Sequence, residues 1–250
     1  MVKLPARERR KRFALIAATV GVTVIVAGFL LIYFVIFPTS SPKPFKLSST
    51  SSAATTSATS TQTSASASSS TTAGHWSVAS GSQAGYRVRE KLAFLPAESD
   101  AVGRTSQITG AATLTSSNGR VTITAASFNV AVSTLKSDRS MRDEKIHEIG
   151  LESSRYPTAT FMLSKPVTLP AGASTGQVVR TPVTGVFDIH GTSKLETLPV
   201  EFSLSGTTLQ AAGALTFPWS EFGMTAPSVG GFVNVTGKAT MEFDLRLQHS

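Results

Sequence analysis

From residue 76 to the C-terminus the chain alternates apolar and polar side chains. Met241, Phe243, Leu245 and Leu247 interleave with Glu242, Asp244 and Arg246, and the same period runs through Val121 and Ile123 and again through Phe128, Val130 and Val132. A period of two gathers one set of side chains on one face, so these segments read as half-buried β-strands. Carried along the chain, the pattern predicts eight strands, over 76–92, 105–117, 120–134, 158–168, 177–190, 193–205, 207–217 and 233–248. Ser117-Asn118-Gly119 and His190-Gly191-Thr192 are short connections in which Asn or Gly supplies the positive φ of a tight hairpin. Consecutive strands are therefore antiparallel neighbours. Residues 138–151 break the pattern: Ser137 or Asp138 is placed to cap a short helix containing Met141, Lys145, Ile146 and Ile149, with Gly150 to end it. The predicted fold class is all-β, an eight-stranded antiparallel up-and-down barrel with one short helix. Closure removes exposed edges and leaves an interior for a slender ligand. A sandwich is the alternative.

The N-terminal part follows different rules. Residues 13–37 are 25 consecutive residues without a charge, and a helix of that length spans roughly 37 Å. That is enough to cross a hydrocarbon core of about 30 Å with some tilt. Lys3, Arg7, Arg9, Arg10, Lys11 and Arg12 precede the run, which places the N-terminus in the cytoplasm and all that follows outside the cell membrane. A cleaved signal peptide would have a shorter apolar region and a small-residue cleavage site, whereas this run ends in Tyr33, Phe34, Phe37 and Pro38. The run therefore reads as a single-pass signal anchor. Residues 38–74 hold 22 Ser or Thr and a single aromatic, Phe45, a composition that predicts a disordered tether open to O-glycosylation. The expected organisation is a basic flank over 1–12, a transmembrane helix over 13–37, a linker over 38–74 and a barrel over 75–250.

Charge changes the picture only by its placement. The chain carries 23 Lys+Arg against 15 Asp+Glu, but eight of the basic residues and one acid lie before residue 75. The barrel is nearly neutral, which argues against nucleic acid as a partner, since counterion release needs cations clustered on the docking domain. With no cysteine, a disulfide framework, a thiolate metal site and a cysteine nucleophile are excluded.

Candidate chemistry is sparse. Gly172-Ala173-Ser174-Thr175-Gly176 matches the nucleophile-elbow pattern, but it lies between two strands rather than between a strand and a helix, so Ser174 is not assigned a catalytic role. Asp188, His190 and Ser193 are the residue types of a triad without controlled spacing, and His75, His147, His190 and His249 lack metal-ligand spacing. Asn234-Val235-Thr236 is a sequon by pattern alone. No catalytic residue, metal or resident cofactor is expected. Arg142 and Asp143, adjacent on the predicted helix, cannot face each other. The guanidinium either clamps the helix over one barrel end or meets a ligand head group. The apolar set Phe128, Val130, Phe161, Val186, Phe202, Leu204, Phe222, Met224, Met241, Phe243 and Leu245 supplies the candidates for barrel-facing, ligand-binding positions. A cavity of a few hundred Å³ would separate a ligand-binding barrel from a solid one.

Three stretches carry a family likeness: FNVAVSTLKSDRSMRDEKIHEIGLESSRYPTATF from Phe128, VTGVFDIHGTSKLETLPVEF from Val183, and FGMTAPSVGGFVNVTGKATMEFDLRL from Phe222. With Arg142-Asp143, Tyr156-Pro157 and Phe161 in that order, the domain resembles the YceI-like family. The resemblance implies a lipocalin-like eight-stranded barrel whose elongated apolar interior binds polyisoprenoid lipids, isoprenoid quinones among them, without enzymatic activity. The expected function is extracytoplasmic binding, sequestration or transport of such a lipid. The alternative is a cell-envelope interaction module with a solid core. Two departures stand out: Ile149-Gly150-Leu151-Glu152 lacks the phenylalanine and aspartate often seen there, and Trp219-Ser220-Glu221 lacks the usual arginine.

Overall fold

The computed structural model describes residues 41–47, 72–93, 98–229 and 233–250. The apolar run 13–37 and most of the Ser/Thr-rich stretch lie outside these. Among the described residues twelve strands form: β1 Gly74–Val78, β2 Gln83–Leu92, β3 Ser99–Thr105, β4 Ile108–Ser117, β5 Arg120–Ala131, β6 Thr158–Leu163, β7 Val167–Thr168, β8 Val179–Ile189, β9 Thr192–Ser205, β10 Thr208–Phe217, β11 Ser228–Val229 and β12 Val233–His249. They make one antiparallel sheet in which β1, β4, β5, β6, β8, β9, β10 and β12 follow each other and β12 pairs back with β1. The ring is closed. β2 continues from β1 along the same strand β12, and β3 pairs with β2 as β4 pairs with β1, so the twelve segments amount to an eight-stranded barrel.

The predicted strand over 76–92 is thus two strands, and the reason is local. Gly81 has φ 87°, and beside it Ser82 replaces a lapsed rung of the ladder: its Oγ accepts from Arg246 N at 2.9 Å and lies 2.8 Å from the Ala79 carbonyl. The strand predicted over 105–117 forms from Ile108 as β4, and a separate strand, β3, precedes it over Ser99–Thr105. Both predicted hairpins form with paired positive φ, Asn118 51° with Gly119 73° and His190 55° with Gly191 70°, the twist that matches right-handed strands.

The helix, α1, is Ser140–Lys145, prolonged by a wider turn over Ile146–Gly150. Its N-cap is Arg139, not Ser137 or Asp138, and it makes no side-chain cap. Asp143 reaches back out of the helix instead, its Oδ1 accepting from Ser137 N at 2.8 Å.

Residues 42–47 are a further difference from expectation. They belong to the barrel rather than to a free tether. Arg87 Nη2 donates to the Pro42 carbonyl at 2.6 Å, Arg104 Nη2 donates to the Lys43 carbonyl at 2.6 Å, and Leu47 N donates to Glu201 Oε2 at 3.0 Å. The Arg104 guanidinium sits 3.9 Å over the centre of the Phe45 ring. The segment crosses the outer wall from β2 and β3 to β9 as a strap, and two prolines, Pro42 and Pro44, stiffen it.

Candidate functional site

Inside the barrel, the inward faces of the strands enclose an apolar cavity of about 100 Å³. Phe128 and Val130 of β5, Phe161 of β6, Phe202 of β9 and Met241, Phe243 and Leu245 of β12 line it, as the alternation predicts. Val183, Phe187, Leu198 and Val200 complete much of the wall.

What keeps the lumen open is a set of glycines on the inward faces. Gly110 stands opposite Phe128, and Gly213 opposite Phe243. A Cβ on Gly110 would meet the Ser127 carbonyl first and then Phe128, with Cδ1 at 2.8 Å, one on Gly213 would meet Phe243 Cζ at 2.8 Å, and one on Gly185 would meet Phe161 Cε2. Each ring therefore lies against the wall in the space that a neighbouring side chain would fill. Phe128 and Phe161 are stacked with centroids 6.3 Å apart, and Phe161 tilts onto Phe187 at 4.8 Å.

A smaller cavity of about 70 Å³ lies toward the helix. Met224 lines this one rather than the larger, together with Tyr86, Ile146, Leu151, Phe217 and Trp219. Each void is below the few hundred Å³ of common ligand pockets.

Three of the apolar candidates do not line either cavity. Val186 is the clearest correction. On β8 the inward set is Val183, Gly185, Phe187 and Ile189, and Val186 is half-buried on the outer face with Thr184 and Asp188. Those two polar neighbours were the signal available in the sequence. Leu204 is buried in the core but away from the voids. Phe222, fully buried, packs its edge on Phe217 at 4.6 Å.

Arg142 also lies outside the cavities. Its guanidinium is taken up by Glu90, through Nε at 3.1 Å and Nη2 at 2.5 Å, and by Asp138. Glu90 comes from β2 and is buried, so this pair fastens the helix to the barrel wall. Under the clamp, burial pushes the Tyr86 phenol well above its ordinary range.

The triad residue types separate. Ser193 Oγ donates to Asp188 Oδ2 at 2.6 Å, while His190 Nε2 meets Glu152 Oε2 at 2.6 Å. Ser174 lies exposed in a short 3-10 turn, Ala173–Thr175, between two left-handed glycines, Gly172 and Gly176. That is not the strand-to-helix turn that a nucleophile elbow needs.

Against protein-family models, residues 54–247 match the YceI-like domain. The chain belongs to the YceI-like family. No curated protein matches it in sequence. Among solved structures, a polyisoprenoid binding domain from Saccharophagus degradans, implicated in plant cell wall breakdown, is 15% identical, with 70% of this chain and 98% of that one covered and a TM-score of 0.50. Burkholderia cenocepacia BcnA is 21% identical over 66% of this chain and 95% of that one, with a TM-score of 0.49. A Campylobacter jejuni YceI protein, a mutant with a monobromobimane guest, is 13% identical over 59% and 84%, with a TM-score of 0.43. The first similarity shows that the fold is shared. In this YceI-like barrel, the register of Gly110, Gly185 and Gly213 against the lumen rings is a feature of the chain's own geometry.

Proposed function

We propose that the barrel binds and carries an isoprenoid lipid by burial alone, without catalysis. One observation carries this reading: an apolar void inside a closed barrel, with its aromatic rings laid back over glycines. An apolar lumen of this kind stays dry when empty, so a hydrocarbon entering it displaces no bound water and sheds its own. Burial of about 400 Å² of isoprenoid surface contributes on the order of 10 kcal/mol before ordering losses. The name of the Saccharophagus degradans relative, a polyisoprenoid binding domain, gives the ligand class to test first. A long tail needs more room than either void offers, so Phe128, Phe161, Phe243 and Met241 must turn as it enters. Methionine and wall-seated rings can do so at low cost because they hold no polar partner.

The apolar run 13–37 anchors the chain, with the basic flank in the cytoplasm and the barrel outside. A second reading, an interaction module on the cell envelope, is favoured by the small size of each void. The two separate on one experiment. The intact chain, expressed in a bacterium and purified, is extracted with organic solvent and the extract examined by mass spectrometry. A co-purifying isoprenoid supports the carrier. No isoprenoid in repeated preparations, with no uptake of an added prenol or quinone, supports the module.

A further inference from the structure

The two cavities meet at a waist, since Ala84, Val130, Ala159 and Met241 line both. The smaller one is lined beyond the waist by Phe217, Trp219 and Met224, where a short turn, Trp219–Phe222, follows β10. The ladder between β9 and β10 runs from Thr208↔Ser205 to Gly213↔Val200 and stops there, although β9 reaches back to Thr192 and β10 goes on to Phe217. Pro199 accounts for the stop. It stands opposite Pro182 in the β8–β9 ladder. Two residues without N–H face each other only as a non-bonded pair, so the Pro199 nitrogen turns toward β10 with no proton to give. From that point each strand is laddered on its far side, β9 to β8 and β10 to β12.

The turn beside this seam is loosely held. Its backbone hydrogen bonds are internal, Glu221 N donating to the Pro218 carbonyl at 3.0 Å, Gly223 N to Ser220 at 3.2 Å and Met224 N to Trp219 at 3.0 Å. Toward the freed end of β9 it offers an acid to an acid, with the Glu221 and Glu196 carboxyls in hydrogen-bonding reach. Such a pair holds only with a proton between the two groups. Burial and Glu221 raise the Glu196 carboxyl above its ordinary value, and Lys194 draws it back. Trp219 Nε1 is shut from solvent without a hydrogen-bond partner, a desolvation cost that water relieves if the turn swings out. What keeps the turn in place is Phe222, fully buried with its ring edge on Phe217. An apolar contact of that kind is one that an incoming hydrocarbon replaces.

We infer that the isoprenoid enters and leaves sideways, through the seam between β9 and β10, with Trp219–Phe222 as a door that swings on Pro218 and Gly223. The inference rests on the isoprenoid-binding reading and adds to it the route of exchange. Parting a seam without backbone rungs breaks no ladder hydrogen bond, whereas parting a laddered stretch strands N–H and C=O groups. Gly223, with φ 65°, suits a hinge, since a few residues at the end of an element absorb the rotation of a moving segment. Behind the door the tail passes from the smaller cavity through the waist into the larger.

The test uses the intact chain in one fixed nonionic detergent. The chain has no cysteine of its own, so Glu196→Cys combined with Glu221→Cys places two unique thiols across the seam. They are joined by bis-maleimidoethane or, as the control, capped singly with N-ethylmaleimide. Uptake and release of tritiated farnesol are timed by spin-column separation. The joined form should exchange farnesol about tenfold more slowly than the capped form, as expected of a pinned lid. Its occupancy at equilibrium should be the same, because neither residue lines a cavity. Should the double variant fail to fold, Glu196→Gln carries the test: its amide donates to the Glu221 carboxylate, fastens the door and should slow release about threefold at neutral pH. Exchange as fast in the joined form as in the capped one overturns the inference, and so does an unchanged rate in Glu196→Gln. Either result leaves the carrier reading intact as long as farnesol loads. If the unaltered chain takes up no farnesol, both fall.

Discussion

The inner wall of the barrel and the outer wall beneath residues 42–47 are built from the same strands by opposite rules. Inside, Phe128, Phe161 and Phe243 rest over glycines and leave space. Outside, on β2, β3 and β12, Arg87 binds Glu242 at 3.2 Å and Asp100 at 3.1 Å, Arg104 binds Glu242 at 3.0 Å, and the strap carbonyls accept from Nη2 of each arginine, while Arg104 Nε is buried without a partner. Glu242, at 1% exposed, sits next in the chain to two lumen residues, Met241 and Phe243. The difference shows where a protein can keep a void. Empty space beside apolar carbon forfeits only dispersion contacts, whereas a gap beside a buried ion strands a charge. The lumen can therefore be loose and able to rearrange, while the outer patch is held fixed by Glu242 between two guanidinium groups.

Breaking the outer patch is expected to have the largest effect. Glu242→Ala removes the acid shared by Arg87 and Arg104 and should cost about 3 kcal/mol of stability, the usual consequence of leaving one side of a buried ion pair unmatched. Denaturant unfolding measures it. A loss below the noise of that measurement would mean that the patch is not integral to the fold.

The matching change inside is Gly213→Ala. Its Cβ would come within 2.8 Å of Phe243 Cζ, with Val200 next at 3.3 Å, so the ring must tip into the lumen. Stability should fall by only about 1 kcal/mol, while uptake of an added isoprenoid should fall about tenfold, the equivalent of 1.4 kcal/mol. Unchanged uptake would show that the glycine seats do not hold the lumen open.

Most of the barrel was legible in the sequence, and the reason is visible on β12. There Met241, Phe243, Leu245 and Leu247 face one side and charged residues the other, so period and face coincide. On β8 the outer face also carries an apolar residue, Val186, and composition alone misassigns it. The family likeness, carried by Arg142-Asp143 and Tyr156-Pro157, supports the same fold but does not say what Arg142 touches. Its partner Glu90 lies 52 residues away, and only register brings the two together. Register also decides the glycine seats, since Gly110 and Gly213 mean nothing until Phe128 and Phe243 stand opposite. The strap was hidden by averaging: Pro42, Lys43 and Phe45 sit at the edge of a stretch dominated by Ser and Thr, and a compositional reading extends its disorder over them.

A smaller effect sharpens the outer half of the comparison. Lys46-Leu47 is a tryptic site held against the barrel by the strap contacts. Phe45→Ala removes the ring beneath Arg104, a contact of about 0.5 to 1 kcal/mol, and should speed native-state cleavage at Lys46 by about threefold. Cleavage equally fast in the unaltered chain would mean that the strap is not docked.

The smallest effect concerns Asp244, on the outer side of β12. Its Oδ1 is buried without a partner, and burial raises its carboxyl above the ordinary value, with Arg246 and Arg104 pulling it back. A carboxyl raised by folding holds its proton more tightly in the folded chain. Its contribution is therefore best below the unfolded value and is lost as pH climbs through the raised one. Asp244→Asn should remove that loss, stabilising the protein at neutral pH by at most about 0.5 kcal/mol and flattening the acid limb of the stability profile. A destabilised variant with the same acid limb would contradict the assignment.

The central claim is that the lumen is a binding space rather than a packing defect. The most direct measurement is an experimental structure of the intact chain purified without any step that strips lipid. The account predicts continuous elongated density along Phe128, Phe161 and Phe243 through the Met241 waist, with those rings turned from their empty positions. A lumen without ligand density, with the same rings closed over it and unchanged on soaking with an isoprenoid, would contradict it.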